Sequence, residues 1–211
     1  MAVKRQAFLD TAFELFTDHG IEAVSLDSVA KKSGYGIATL YRHFSNKESL
    51  VVELATRKWE EYIKTYDEAI SGKERDRMTG AEWLERYLDS FLDLYRNRKD
   101  FLRFNYDLNS FLRKTDYTPK VMESYMRVIN GMGELFHEWY VRGARDGTLN
   151  GNISEKAMFS GSFHIMLAVV TRYAMGLVYI AEKDDNPEEE LVMLKSLLLR
   201  EYTNHDRPSM T

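Results

Sequence analysis

The chain has no cysteine and only three prolines, at Pro119, Pro187 and Pro208. The first absence excludes disulfides, thiolate metal sites, iron–sulfur clusters and thiol redox sensing. The second leaves long stretches free of the strongest helix breaker. An excess of basic charge is also missing: Lys+Arg 29 stand against Asp+Glu 33, a formal net charge of −4. Coating nucleic acid by bulk charge is thereby excluded, although a local DNA site is not. Apolar residues at 44% and charged residues at 29% exclude a disordered chain. The 211 residues fit one or two domains.

Asp10 and Glu14 break the apolar core that a signal peptide needs, so none is expected. The one long apolar stretch, 163–181, holds Arg172 near its middle. An arginine there costs about 2.5–3.5 kcal/mol on insertion scales. The stretch therefore reads as a buried helix of a cytoplasmic protein that makes no membrane contact.

What is present is helical. Leu9, Ala12, Phe13 and Phe16 recur at i, i+3, i+4, i+7, and Gly20 ends that helix. Ser25 caps a short helix over 26–33, with Val24 and Val29 placed as a hydrophobic staple. Gly34-Tyr35-Gly36 is a tight turn into a second short helix, 37–44. Ser45 and Glu48 have capping-box spacing ahead of a fourth helix, about 46–70, and the charged run 71–77 reads as a loop. Thr79 and Glu82 repeat the box before a wide apolar face, Trp83 to Tyr95. Further helices span 100–114, 119–146 after a Thr118-Pro119 cap, 154–181 after a break at Gly147, and 187–203 after Asn186-Pro187. Gly131 and Gly133 predict a bend within the 119–146 helix. The fold expected is all-α, with about nine helices.

Two short helices joined by a glycine turn, with a helix in front, form a helix-turn-helix. Val29, Ala30 and Leu40 hold the pair together, and Gly34 supplies a positive φ. The second helix then exposes Ile37, Ala38, Thr39, Arg42 and His43 to a major groove. Arg42 is the candidate purine reader, since a guanidinium bridges guanine O6 and N7. Other chemistries fail. The five histidines are scattered, His137-Glu138 lacks the second histidine of a zinc-protease helix, and Gly34-Tyr35-Gly36 follows a helix rather than a strand. No nucleophile–base pair is visible, so no enzyme, metal or cofactor is expected. The acidic run 182–190 lacks calcium-loop spacing and reads as a solvated connection.

The string Ser25-Leu26-Asp27-Ser28-Val29-Ala30-Lys31-Lys32-Ser33-Gly34, then Ala38-Thr39-Leu40-Tyr41-Arg42-His43-Phe44, then Ser45-Asn46-Lys47-Glu48-Ser49-Leu50, resembles the DNA-binding domain of the TetR family. These are dimeric bacterial transcription regulators, mostly repressors. The likeness covers about residues 4–52; beyond it, Gly143-Ala144-Arg145-Asp146-Gly147-Thr148-Leu149 resembles the end of the family's seventh helix. By position it implies phosphate contacts from Tyr41 and Lys47, a phosphate or base contact from Thr39, and a phosphate contact at Ser25. Tyr35, Gly36 and Ile37 depart from the family pattern and imply altered operator preference, with Tyr35 or Ile37 on a thymine methyl. Residues 1–50 carry six Lys/Arg and six Asp/Glu, so the domain is not basic and its salt slope should be moderate.

The resemblance implies two domains, 1–52 for DNA and 53–211 for effector binding and dimerisation, linked by the fourth helix. Its partners would be a double-stranded inverted-repeat operator, a second copy of the chain and a small, largely apolar effector. Pocket candidates are Tyr87, Phe91, Phe104, Asn105, Asn109, Tyr125, Asn130, His137 and Arg172. Dimer candidates are Phe159, Phe163, Met166, Val170, Leu177, Leu191, Leu194, Leu197 and Leu198, with Gly161 and Gly176 permitting close helix approach. Two alternatives stay open: an activator, or a helical interaction module that has lost DNA binding.

Overall fold

In a computed structural model of the chain, residues 2–115, 119–177 and 186–204 are described. They form ten helices and no strand, and 81% of them are helical. The helices are α1 (Ala2–His19), α2 (Leu26–Lys32), α3 (Ile37–Tyr41), α4 (Lys47–Glu68), α5 (Gly72–Arg77), α6 (Gly80–Asn97), α7 (Lys99–Lys114), α8 (Pro119–Asp146), α9 (Glu155–Ala174) and α10 (Pro187–Tyr202). The Thr118 cap, positions 178–181 of the expected long helix, most of the acidic connection, His205 and Pro208 lie outside the described residues.

Local signals set most of the boundaries. Ser25, Thr79, Ser154 and Asn186 each accept a hydrogen bond from a first-turn N–H, and Thr79–Glu82 closes a full capping box. Gly20, Gly34 and Gly147 all take positive φ where the chain leaves a helix.

Three expectations need correction. The charged run 71–77 is not a loop: Ser71 accepts from the Glu74 N–H and starts α5. The cap of α4 is shifted by one residue from Ser45–Glu48. Asn46 Oδ1 accepts from the Ser49 N–H at 2.8 Å, and Ser49 Oγ accepts from the Asn46 N–H at 3.3 Å. The third concerns α9, which ends at Ala174 because Gly176, at φ 74, turns the chain out of the helix instead of packing within it. As for the predicted bend, α8 runs unbroken through Gly131 and Gly133.

Two compact units divide the chain. The first comprises Met1–Tyr62 and Asp100–Ile129; the second comprises Ile63–Lys99 and Asn130–Thr211. In the first, Phe8, Leu9, Phe16, Leu40, Phe44 and Leu50 form a core of α1 to α4. Helix α7 completes it. Phe104 packs edge-on to Phe13 at 5.6 Å and stacks near Phe16 at 6.4 Å, and Phe101 meets Trp59 edge-on at 5.0 Å. Asp107, also on α7, accepts a hydrogen bond from the Ile21 N–H; burial still raises its carboxyl above the usual range.

In the second unit α6, α9 and α10 pack on one another. An aromatic chain runs through it. Trp83 and Trp139 stack at 4.9 Å, Tyr87 meets Phe136 at 5.3 Å, and Phe136, Phe159 and Phe163 follow in turn. Lys195 of α10 bonds Glu85 and Asp89 of α6 at 2.9 and 2.7 Å. The closest approach is between α6 and α8, where a Cβ on Gly80 would stand 2.1 Å from the Gly143 Cα. Around that contact the Gly80 N–H donates to Asp146 Oδ2 and the Ala81 N–H to Thr148 Oγ1. The turn after α8 thus caps the first turn of α6. It is tied in turn to the end of α10, since the Asn204 amide donates to the Gly147 and Leu149 carbonyls.

Gly80→Ala forces two backbones apart, and we expect a loss of about 1–3 kcal/mol, read as a lower urea midpoint. Gly131→Ala is the control: its Cβ meets nothing within 4 Å, so the helix gains up to about 1 kcal/mol.

Candidate nucleic-acid interface

The turn between α2 and α3 is built by backbone hydrogen bonds. The Tyr35 N–H donates to the Ala30 carbonyl at 3.0 Å and the Gly34 N–H to the Lys31 carbonyl at 3.2 Å, with Gly34 at φ 78. This is a Schellman ending of α2. Tyr35, the second residue past the cap, packs its side chain on α1. Its ring lies edge-on to Phe8 at 5.4 Å with the Lys4 ammonium 5.3 Å from its centroid. The half-buried ring covers part of the small core.

Helix α3 is only five residues long, and its N-cap, Gly36, offers no side-chain bond. Leu40, fully buried, pins it to α2. Around that anchor Ala38, Tyr41 and Arg42 are exposed, Tyr41 by 54%, while Ile37 and Thr39 are half-buried. Ser25 is exposed at the start of α2, bonded to Ser28. His43 is partly withdrawn: its ring lies 5.9 Å from Phe8 and 6.5 Å from Phe44.

Arg5 belongs to no motif, yet it braces the far end of α3. Its guanidinium donates to the His43 carbonyl at 2.9 Å and to both carboxylate oxygens of Glu53 on α4, and lies over the Phe44 ring at 4.6 Å. The Glu53 bond raises the Arg5 pKa above its ordinary value. No local pattern reveals such a brace, because its partners lie far away in sequence. Lys47 is half-buried and already engaged. Its Nζ donates to the Glu22 carbonyl at 3.1 Å and stands 5.7 Å from the Phe111 centroid. Burial lowers its pKa, with the charges of Glu48 and Glu22 opposing.

Residues 8–54 match the model of the family described as bacterial regulatory proteins, tetR family. They contain α2, the glycine turn and α3. This segment is a tetR-family domain. An HTH-type transcriptional regulator of Staphylococcus aureus strain USA300 is 29% identical over 99 residues, 47% of this chain and 51% of that protein. The chain thus spans about half the length of the curated relatives it matches. Among solved structures, a transcriptional regulator from Saccharomonospora viridis in complex with choline has a TM-score of 0.76 at 14% identity, over 97% of this chain and all of that one (100%). FadR from Bacillus subtilis in complex with stearoyl-CoA has a TM-score of 0.73 at 17% identity, over 93% of this chain and 98% of that one. The fold that this chain shares with these two structures therefore extends beyond the matched segment.

The remaining candidates fall in several places. Phe104, Asn105, Asn109 and Tyr125 belong to the first unit, whereas Tyr87, Phe91, Asn130, His137 and Arg172 belong to the second. Phe104 is fully buried against α1, so it is core and not free to line a pocket. Asn109 and Asn130 are exposed, and so is His137, which pairs with Glu155 at 2.9 Å. Tyr87, Phe91 and Asn105 are buried, and Tyr125 and Arg172 half-buried. Of the dimer candidates, Met166, Val170, Leu191 and Leu198 are buried within the chain itself, which removes them from any surface a partner could touch. Phe159 and Phe163 join the aromatic chain, Leu194 is half-buried and Leu177 exposed. Gly161 makes room for the Tyr202 hydroxyl of α10, an approach within one chain. Among the described residues no group of His, Asp and Glu could hold a metal ion, and no helix is long and apolar enough to cross a membrane.

Gly34 isolates the cost of the turn, because a Cβ there meets nothing within 4 Å yet φ is 78. Gly34→Ala should lower stability by about 1–2 kcal/mol through backbone strain alone, measured by denaturant unfolding.

Proposed function

We propose that the chain is a ligand-responsive transcription regulator, a repressor that binds an inverted-repeat operator as a homodimer. The observation that carries this reading is α3: a short helix pinned by Leu40 and braced by Arg5, presenting Tyr41 and Arg42 outward. Arg42 reads a purine edge; Tyr41, Ser25 and Lys47 meet phosphates, and Thr39 meets a phosphate or a base edge. Two such helices must stand about 34–36 Å apart to enter successive major grooves, which requires a two-fold protein.

The surface that joins the copies includes Leu197, expected from sequence, and exposed residues beside the other candidates. On α9 and α10 the exposed apolar side chains are Ile165, Val192, Met193 and Leu197, next to their buried neighbours Met166, Leu191 and Leu198. This face supports pairing of the two helices with their copies. The aromatic chain of the second unit supports a small, largely apolar effector, and the choline and stearoyl-CoA complexes support ligand binding by this fold. An effector that prefers a different subunit spacing lowers DNA affinity by its differential binding and no more. The protein functions in the cytoplasm, where its operator is.

Selection of bound fragments from the source genome tests the reading. We expect an inverted repeat, with Tyr41→Ala weakening capture while leaving the log–log salt slope nearly unchanged, since an uncharged hydroxyl releases no counterion. Recovery of nothing specific, with no ligand released on denaturation and mass spectrometry, would overturn DNA binding and favour the interaction module. Met193→Glu combined with Leu197→Glu should shift the protein from dimer to monomer in sedimentation and reduce operator affinity in parallel.

A further inference from the structure

We infer that Lys114, at the end of α7, is a phosphate contact outside the helix-turn-helix, and that Glu22 is the anion a DNA phosphate displaces from it. The inference rests on the reading of the first unit as DNA-binding.

Glu22 lies in the turn between α1 and α2, three residues before the N-cap Ser25. Two ammonium groups from distant parts of the chain converge on it. Lys114 Nζ stands 2.8 Å from its Oε1, and Lys47 Nζ donates to its carbonyl at 3.1 Å. Helix α7 contributes twice, because Phe111, one turn before Lys114, also lies under the Lys47 ammonium. The anchoring of α7 through Phe104 and Asp107 keeps Lys114 on the same compact unit as α2 and α3.

The Glu22–Lys114 pair is open to water, its side chains 57% and 59% exposed, so it adds little to stability. What it does is hold a carboxylate beside two cations at the edge of the candidate interface. Other charged groups near the cluster are Glu48, next to Lys47; Asp107, bonded to the Ile21 N–H; and the exposed Arg113. A backbone phosphate satisfies both ammonium groups with one anion and releases counterions as it does so. Lysine suits this exchange: it is a point charge on a flexible stem and moves from carboxylate to phosphate without a shift of the helix.

Binding of a fluorescein-labelled, mixed-sequence duplex by the full chain over a series of salt concentrations tests the inference. The variants are Lys114→Ala and Glu22→Gln, each checked for an unchanged unfolding midpoint, with Tyr41→Ala as reference. Lys114→Ala should weaken binding and lower the log–log salt slope by about 0.9, one phosphate's worth. Glu22→Gln should act in the opposite direction and tighten binding about two- to fivefold, as removal of one exposed like charge predicts. A purely structural clasp is broken by either change, so weakening by both variants overturns the inference. An unchanged slope in Lys114→Ala overturns it too, while a Tyr41→Ala defect in the same experiment leaves the DNA-binding reading standing. If the unaltered chain binds no duplex at low salt, that reading fails and this inference fails with it.

Discussion

Phe104 of α7 lies against both Phe13 and Phe16 of α1, and the three-helix head depends on that contact. A segment of about fifty residues buries too small a fraction of its surface to be robust alone. Here the deficit is met from outside the segment. Phe104 on α7 covers α1, Phe101 on α7 meets Trp59 on α4, and Asp107 satisfies a backbone N–H where α1 gives way to the next turn. The head and α7 consequently belong to one compact unit, although some fifty residues separate them in sequence. A protein whose recognition helix is only one and a half turns long gains its rigidity from these neighbours rather than from intrinsic helix propensity.

The same logic explains the arrangement around α3. Its start has no side-chain cap, so its place is fixed by Leu40 below, by the Schellman turn before it, and by Arg5 after it. Tyr35 and His43, which flank the exposed residues, turn their rings onto Phe8. The outward surface is left to few groups, chiefly Tyr41 and Arg42. The segment 1–50 carries as many acidic as basic residues, so what this surface offers is set by the placement of these groups and not by net charge.

Sequence discloses what depends on neighbouring residues. The caps at Ser25, Thr79, Ser154 and Asn186, and the positive-φ glycines at 20, 34 and 147, carry their chemistry within a few positions, and the helices they delimit are readable from it. The failures share a cause too. Periodicity shows that a helix has an apolar face without naming what covers it. Met166, Val170, Leu191 and Leu198 are apolar enough for an interface, yet they are used within their own chain, while Leu197 of the same apolar pattern is exposed. Phe104 has the aromatic character of a pocket residue and is core of the other unit. The Ser71 cap is hidden by the charges after it, and Arg5 and Glu53 meet across a sequence gap that no motif spans.

The meeting of Gly80 and Gly143 has a mechanical meaning for any response to a ligand. Backbones that touch without intervening side chains cannot slide past each other. The next residues on that face of α6 are Trp83 and Leu84, so a slide of about one turn, roughly 5.4 Å, would drive a large side chain onto Gly143. The glycine pair thereby sets the register of α6 on α8, as a notch does, and any rearrangement of the second unit starts from that fixed crossing.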